Sequence, residues 1–242
     1  MNLLSRIILF ASMPLLRPRL KRAQKNGLET LLDYGRLAYL AAAVKATNHL
    51  PGDCIEFGSF RGGSAAVIRQ YLNSEKVLYV LDSFEGLPEP SEYDNYHSKG
   101  DFSETSYRIV AEGLNSIGVN IKVMKGYFSD SLETLSRYEH LQFSFAHIDA
   151  DLYKSVLEAL EFVYPRMAKG RFIILDDYLS PTCIGAKLAV DQFLGDKPEQ
   201  IEVLCSPAGV IRVGGGSAAA ELNKNLGLLL RSGILRKVAL QQ

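Results

Sequence analysis

Much of what would classify this chain at a glance is missing from it. Its 242 residues hold three cysteines, Cys54, Cys183 and Cys205, and none lies in a C-x-x-C pair. An odd, scattered set excludes a disulfide framework and a zinc knuckle, and fits a reducing, cytoplasmic location. Net charge is missing too, because Lys+Arg and Asp+Glu both total 27. No global field therefore draws the chain to nucleic acid. A local exception is RPRLKRAQK at 17–25, with five basic residues in nine. Long hydrophobic runs are also lacking. The front, MNLLSRIILFASMPLL, is too short to span a bilayer, is interrupted by Pro14 and is followed by no small-residue cleavage site. It reads as an amphipathic helix packed on the body or on a second subunit, with a membrane surface as the alternative. There is no internal repeat and no low-complexity tract.

What remains is an ordinary globular composition, 47 % hydrophobic and 22 % charged, with ample material for one large core. Short apolar runs at 54–57, 77–82, 120–126, 143–149, 171–177, 201–205 and 209–213 read as strands. Helical spacing fills 62–74, 104–118, 129–139, 151–170 and 183–195. Runs that are continuous rather than alternating indicate strands covered on both faces, hence a parallel sheet in a doubly wound α/β fold. The last two runs are close together, so the final strand is expected to return antiparallel. Residues 1–50 are largely helical and precede the first strand. Residues 86–102 are rich in Pro, Gly and aromatics and read as a lid, with Tyr93, Tyr96 and His97 closing over a site. Residues 214–221 read as a joint to a short C-terminal helix. The organisation is thus a helical extension at 1–50, a sheet domain at 51–213, and a linker with a helix at 214–242.

Residues that carry chemistry gather where strands end. In CIEFGSFRGGSA, Gly58, Gly62 and Gly63 let the backbone approach a ligand, and the helix start offers unpaired N–H groups. The spacing departs from G-x-G-x-x-G because Phe60 occupies the second glycine's place. Glu56 would suit an amine or a sulfonium better than a pyrophosphate. A helix-capping turn without a ligand is the competing reading. Asp82, 24 residues beyond Gly58, stands where nucleoside-binding folds place a ribose ligand. Tyr127, Phe128 and Ser129 follow the third strand, where an adenine could rest. Core packing for the two rings and an N-cap role for Ser129 are the alternatives.

The densest signal is acidic. Asp149 and the pair Asp176/Asp177 end the fourth and fifth strands, which are neighbours in the usual doubly wound order. Carboxylates brought together repel, and an all-oxygen set of this kind suits Mg²⁺ or Mn²⁺. Asp151 is placed to take a proton from a hydroxyl that such a cation acidifies, or else to cap the next helix. DADLYKSVLEAL is not a calcium loop, since Lys154 replaces its glycine and Leu160 its glutamate. His147 reads as a core histidine pointing away from the acidic cluster, and His49, His97 and His140 form no ligand set. None of the twelve tyrosines has a lysine four positions on, which excludes a short-chain oxidoreductase pair.

EFGSFRGGSA, LDSFEGLPEP, KGYFSDSL, HIDADLYKSVLEALEFVYPRMAKGRFIILDDY and AVDQF together resemble the macrocin-type O-methyltransferases, over residues 50–213. The resemblance implies a class I methyltransferase fold, a mostly parallel seven-stranded sheet with an antiparallel last strand. It implies S-adenosylmethionine and Mg²⁺ (or Mn²⁺), and methylation of sugar hydroxyls in antibiotic or polysaccharide biosynthesis. It places Glu56, Gly58, Arg61, Gly62, Gly63 and Ser64 at the methionine end of the methyl donor. Asp82 and Ser83 fall at the ribose, and Tyr127, Phe128 and Ser129 along the adenine. Asp149, Asp176 and Asp177 become metal ligands and Asp151 a general base, so that catalysis rests on Asp149 and Asp151. The flanks match less well; in the family they shape the acceptor pocket and subunit contacts, and a homo-oligomer through the N-terminal helices is expected. Two other readings stand beside this one: a metal-dependent glycosyltransferase or related nucleotide-sugar enzyme, and a non-catalytic protein that binds S-adenosylmethionine.

Overall fold

A computed structural model describes residues 15–205, 207–214 and 216–225. The expected amphipathic start at 1–14 and the tail after 225 lie outside the described residues. Helix α1 covers 15–25 and α2 Tyr34–Thr47, and the alternating series then follows: β1 (Asp53–Phe57), α3 (Gly63–Tyr71), β2 (Leu78–Asp82), α4 (Tyr107–Ile117) and β3 (Ile121–Lys125). Next come α5 (Phe128–Ser136), β4 (Phe143–Ile148), α6 (Tyr153–Val163), β5 (Met167–Leu175) and α7 (Ile184–Leu194). The described residues close with β6 (Glu202–Cys205), β7 (Ala208–Arg212) and α8 at 218–225.

All seven strands form one sheet in the order β3-β2-β1-β4-β5-β7-β6. From β3 to β5 every neighbour is parallel, and β7 is antiparallel to both β5 and β6. The antiparallel return agrees with the sequence expectation, and the returning strand slots between β5 and β6. Burial on both faces gives the apolar runs their continuity. Cys54, Val80, Phe145, Phe172 and Val210 face one core with α2, α3 and α4. Ile55, Leu81, Ile148, Leu175 and Ile211 face the other with α5, α6 and α7.

Two local outcomes differ from the sequence reading. The expected helix over 151–170 stops at Val163. A single 3₁₀ turn, Tyr164–Arg166, surrounds Pro165, and β5 starts at Met167. Proline lacks the N–H that would carry the helix on. Helix α2 is apolar on every side from Leu37 to Val44 and buried there, as such a helix must be. It lies against β4 and β5 as part of the layer covering the sheet.

Candidate active site

The strand order reverses between β1 and β4, and doubly wound sheets bind ligands at such a point beyond the strands' carboxyl ends. A cavity of 430 Å³ lies there. Gly58, Ser64, Asp82, Ser83, Tyr127, Phe128 and Ser129 line it, as do Asp149, Asp151, Asp176 and Asp177. Eleven expected site residues thus share one cavity, although they come from the carboxyl ends of five different strands.

Four others are placed elsewhere. Glu56 is fully buried and does not line the cavity, its Oε1 lying 2.9 Å from His147 Nδ1. Arg61 points outward, donating to Glu29 Oε2 at 2.7 Å and to the Glu104 carbonyl at 2.8 Å. Gly62 and Gly63 are pressed against the chain at residue 29, with Gly63 N–H donating to the Glu29 carbonyl at 2.8 Å. A Cβ on Gly63 would lie 2.4 Å from that oxygen. These glycines let the front segment cross the loop rather than admit a ligand. Gly58 is different, for a Cβ there would lie 1.8 Å from the carbonyl oxygen of Asp149. Its absence lets the β1 turn meet the end of β4, and its φ of +81° is free only to glycine.

On the β1–β3 side, the polar groups are largely used by the protein's own backbone. Asp82 Oδ2 accepts from the N–H groups of Ser59 and Phe60, both at 2.8 Å, and Oδ1 from Phe84 N–H at 2.7 Å. Ser83 Oγ donates to the Gly86 carbonyl at 2.7 Å and accepts from Glu85 N–H at 3.0 Å. Both residues therefore shape the turn that borders the cavity. Tyr127, not Ser129, precedes the first turn of α5, and Ser129 is exposed at the cavity edge. Phe128 stacks edge-on against Phe57 with ring centres 5.4 Å apart, so it faces both core and cavity.

The acidic side is less settled. Parallel register pairs Ile148 with Leu175, which brings Asp149 and Asp176 to adjacent strand ends. One oxygen from each of Asp149, Asp176 and Asp177 lies within 4.8 Å of the others. Burial raises Asp149 well above the usual carboxylate range, and Asp176 and Asp177 raise it further. Burial likewise pushes Asp177 up to about 8, with Asp151 and Asp176 adding to it. Asp151 goes up to about 6 through burial, against which the Cys183 thiol hydrogen bond pulls down. Two carboxyl groups that resist ionising, Asp149 and Asp177, converging with the carboxylate side chain of Asp176 are what a hard divalent cation would stabilise, so the donor set fits Mg²⁺ or Mn²⁺.

Asp151 does not cap α6, whose N-cap is Leu152. It holds a left-handed backbone, φ +55°, within a tight turn closed by Leu152 N–H on the Ala150 carbonyl. Such strain in a non-glycine residue persists only where surroundings enforce it, and often at functional sites. Asp177 Oδ2 accepts from the Asp151 N–H at 3.2 Å and so ties the turn to β5. The N–H of Tyr153 is met by Asp94 Oδ1 at 2.9 Å, from loop 86–102.

Sequence reasoning missed two residues and misplaced a third. Arg36 lies in the first turn of α2 and pairs with Asp176 from 140 positions away. Asp33 orients it, capping α2 through Gly35 N–H at 2.6 Å and meeting Arg36 Nε at 3.2 Å. The available signal was an arginine opening an otherwise apolar helix. Asp94 carries no signal beyond its place in a loop, yet it is buried and pins that loop to α6. His147 faces the cluster and not away from it, because residues two apart on a strand share a face. Its Nε2 lies 3.9 Å from Asp176 Oδ1. Burial opposes its charge, but Asp176 and Glu56 outweigh this and hold it up to about 9. Two of the loop aromatics do not close the site: Tyr93 and Tyr96 are exposed, while Leu87, Pro88 and Phe102 line the cavity.

The sequence model of macrocin O-methyltransferases (TylF) matches residues 27–201, well over half of the chain. The chain belongs to the macrocin O-methyltransferase family. Its relatives include the mycinamicin III 3''-O-methyltransferase of Micromonospora griseorubida, 27 % identical, covering 62 % of this chain and 69 % of that protein. Another is the demethyldecarbamoylnovobiocin O-methyltransferase of Streptomyces niveus, 29 % identical, covering 68 % and 67 %. The solved O-methyltransferase NovP superposes with a TM-score of 0.67 at 24 % identity, over 76 % of this chain and 81 % of that one. A calicheamicin methyltransferase gives 0.67 at 20 %, over 74 % and 79 %. At these identities the structures establish the shared fold. Family membership makes the chain an O-methyltransferase and sets aside the glycosyltransferase and non-catalytic readings. The match also starts at residue 27, so the Arg36 helix lies inside the family region, which the sequence reading began near residue 50.

Proposed function

We propose that this macrocin-family enzyme transfers the methyl group of S-adenosylmethionine to a hydroxyl of a sugar or another vicinal-diol acceptor, in natural-product or polysaccharide biosynthesis, with Mg²⁺ or Mn²⁺. The observation that carries the reading is the meeting, in one cavity, of Asp82 and Tyr127 from the β1–β3 ends with four aspartates from the β4–β5 ends. The first group offers a nucleoside-sized cleft whose walls are preorganised by backbone hydrogen bonds. The second holds more carboxyl groups than the protein's own cations neutralise. A bound Mg²⁺ would supply positive charge that lowers the pKa of an acceptor hydroxyl and would help to orient it.

Asp149, Asp176 and Asp177 would hold that ion, with Arg36 keeping Asp176 oriented. Asp151 is the general base. It removes the acceptor hydroxyl's proton as the oxygen–methyl bond forms, the sulfur–methyl bond breaks and S-adenosylhomocysteine leaves. Holding oxygen, methyl carbon and sulfur in line can supply about 7–11 kcal/mol of the acceleration. The names of the relatives, a mycinamicin III 3''-O-methyltransferase among them, support an antibiotic-type acceptor.

Calorimetry separates the two halves of this reading. S-adenosylmethionine is titrated with and without Mg²⁺, followed by UDP-glucose as a competitor ligand. Donor binding that survives chelation, with methyl transfer to a diol only when Mg²⁺ is restored, is the expected result. Undiminished transfer after thorough chelation would remove the metal from the mechanism, and Mg²⁺-dependent binding of UDP-glucose alone would remove the donor.

A further inference from the structure

Beside the three-aspartate cluster lies a second convergence of ligand atoms with different chemistry. His97 comes from loop 86–102, Asp151 from the turn after β4, and Cys183 from the position that opens α7. Cys183 Sγ is 3.5 Å from His97 Nε2 and 3.5 Å from Asp151 Oδ1, and His97 Nε2 is 4.0 Å from Asp151 Oδ1. We propose that His97, Cys183 and Asp151 form a soft-metal site that takes Zn²⁺, and that a zinc ion there fastens the loop to α7 and occupies the carboxylate of Asp151.

Geometry and ligand type argue for it together. Tetrahedral zinc, with about 2.3 Å to sulfur and about 2.0 Å to nitrogen and oxygen, needs ligand separations of about 3.5 Å to sulfur and about 3.3 Å between nitrogen and oxygen. The two sulfur separations already have that length, and only the histidine–aspartate edge must shorten, by about 0.7 Å. A thiolate, an imidazole and one carboxylate select zinc over Mg²⁺, whereas Asp149, Asp176 and Asp177 select the reverse. On its far side, His97 Nδ1 faces Asp101 Oδ2 at 3.6 Å, the kind of outer carboxylate that orients a zinc-bound imidazole. Asp151 also lines the cavity, which gives an ion a way in and leaves a fourth position for water. Binding replaces the S–H bond of Cys183 by a sulfur–zinc bond, and the proton leaves to solvent without change of oxidation state. Since zinc and the acceptor proton would compete for Asp151, zinc inhibits methyl transfer even with Mg²⁺ in excess; this consequence rests on the general-base reading above.

Co²⁺, which reports its ligands by colour, is the probe. The full chain, saturated with Mg²⁺ under reducing conditions, is titrated with Co²⁺. A thiolate-to-cobalt charge-transfer band is expected to saturate at one equivalent and to vanish when Zn²⁺ is added. Cys183→Ser should abolish the band, and His97→Ala should weaken Co²⁺ binding more than about 100-fold, beyond the loss of an outer partner. Asp176→Asn and Cys205→Ser should retain it. Absence of the band, its survival in Cys183→Ser or its loss in Cys205→Ser would each overturn the site. An inactive protein that shows the band sinks only the methyltransferase mechanism, and an active one without it sinks only the zinc site.

Discussion

The two halves of the cavity are built from similar material and left in opposite states. At the ends of β1 and β2, Asp82 receives three backbone N–H groups and Ser83 closes its own turn. At the ends of β4 and β5, Asp149 and Asp177 are buried among other acids, and both are held above the normal carboxylate range. Among the described residues, Asp176 alone of these aspartates forms a close ion pair with an arginine, Arg36. A carboxylate that accepts several N–H bonds stabilises its own loop, whereas one crowded by like charge is stabilised by whatever cation arrives. On the proposed reading, the half that would take the methyl donor is organised in advance, and the half that would take the acceptor is set up for an added charge.

The contrast breaks most severely at the acids. Asp151→Asn should lower the rate of methyl transfer by about 10²–10⁴-fold, the usual worth of a positioned general base. Asp149→Ala should abolish transfer while calorimetric binding of S-adenosylmethionine persists. Equal loss of donor affinity in both variants would mean that the halves are not separable. Next in size is Gly58→Ala, at the point where the halves touch. A methyl group 1.8 Å from the Asp149 carbonyl forces β1 and β4 apart, at a cost of about 3 kcal/mol in urea denaturation. An unchanged midpoint would mean that the crossing is looser than its backbone distances imply.

Asp82→Asn sharpens the comparison from the other side. One carboxylate oxygen becomes an amide nitrogen, so at least one of three buried N–H groups loses its acceptor, for about 1–2 kcal/mol. Stability and donor affinity should fall together. If donor affinity alone falls, Asp82 acts on the ribose directly and its loop role is secondary.

What was legible in the sequence follows the same division. The seven strands were readable because burial on both faces makes their apolar runs continuous, as in LYVL of β2 and FIIL of β5. The aspartates were readable because each directly follows such a run. Arg36 was not, since its partner Asp176 lies in another layer of the fold. Glu56, Arg61, Gly62 and Gly63 fit a ligand loop by spacing, but spacing does not reveal that His147 would take Glu56, that Glu29 would take Arg61, or that Leu28 and Val110 would crowd Gly62 and Glu29 and Thr30 would crowd Gly63. The two-residue repeat of β4 puts His147 on the face of Asp149, toward the acidic cluster, while its burial agrees with the core reading. Tertiary neighbours decided the cases of Arg36, Glu56, Arg61, Gly62 and Gly63.

The smallest expected effect is also the most direct test of the unsettled half. Asp177, held up to about 8, and His147, held up to about 9, both bind protons more tightly when folded than their ordinary values near 4 and 6.5 allow. A folded state that holds extra protons loses stability as pH rises, between about 4 and 8 for the aspartate and about 6.5 and 9 for the histidine. The metal-free protein should therefore melt at a lower temperature at alkaline pH than near pH 6. Mg²⁺ must displace the carboxyl proton to bind, so its benefit should be small near pH 6 and larger near pH 8.5. At ten times its dissociation constant the ion contributes about 1.4 kcal/mol. For a chain of this size that is about 3–5 °C in melting temperature. Asp177→Asn removes both the raised proton and a ligand, and should flatten the pH slope and the Mg²⁺ response in one step. A Mg²⁺ shift of equal size at both pH values, or one kept by Asp177→Asn, would show that the ion binds away from these aspartates and that the acidic half is held by Arg36 and His147 alone.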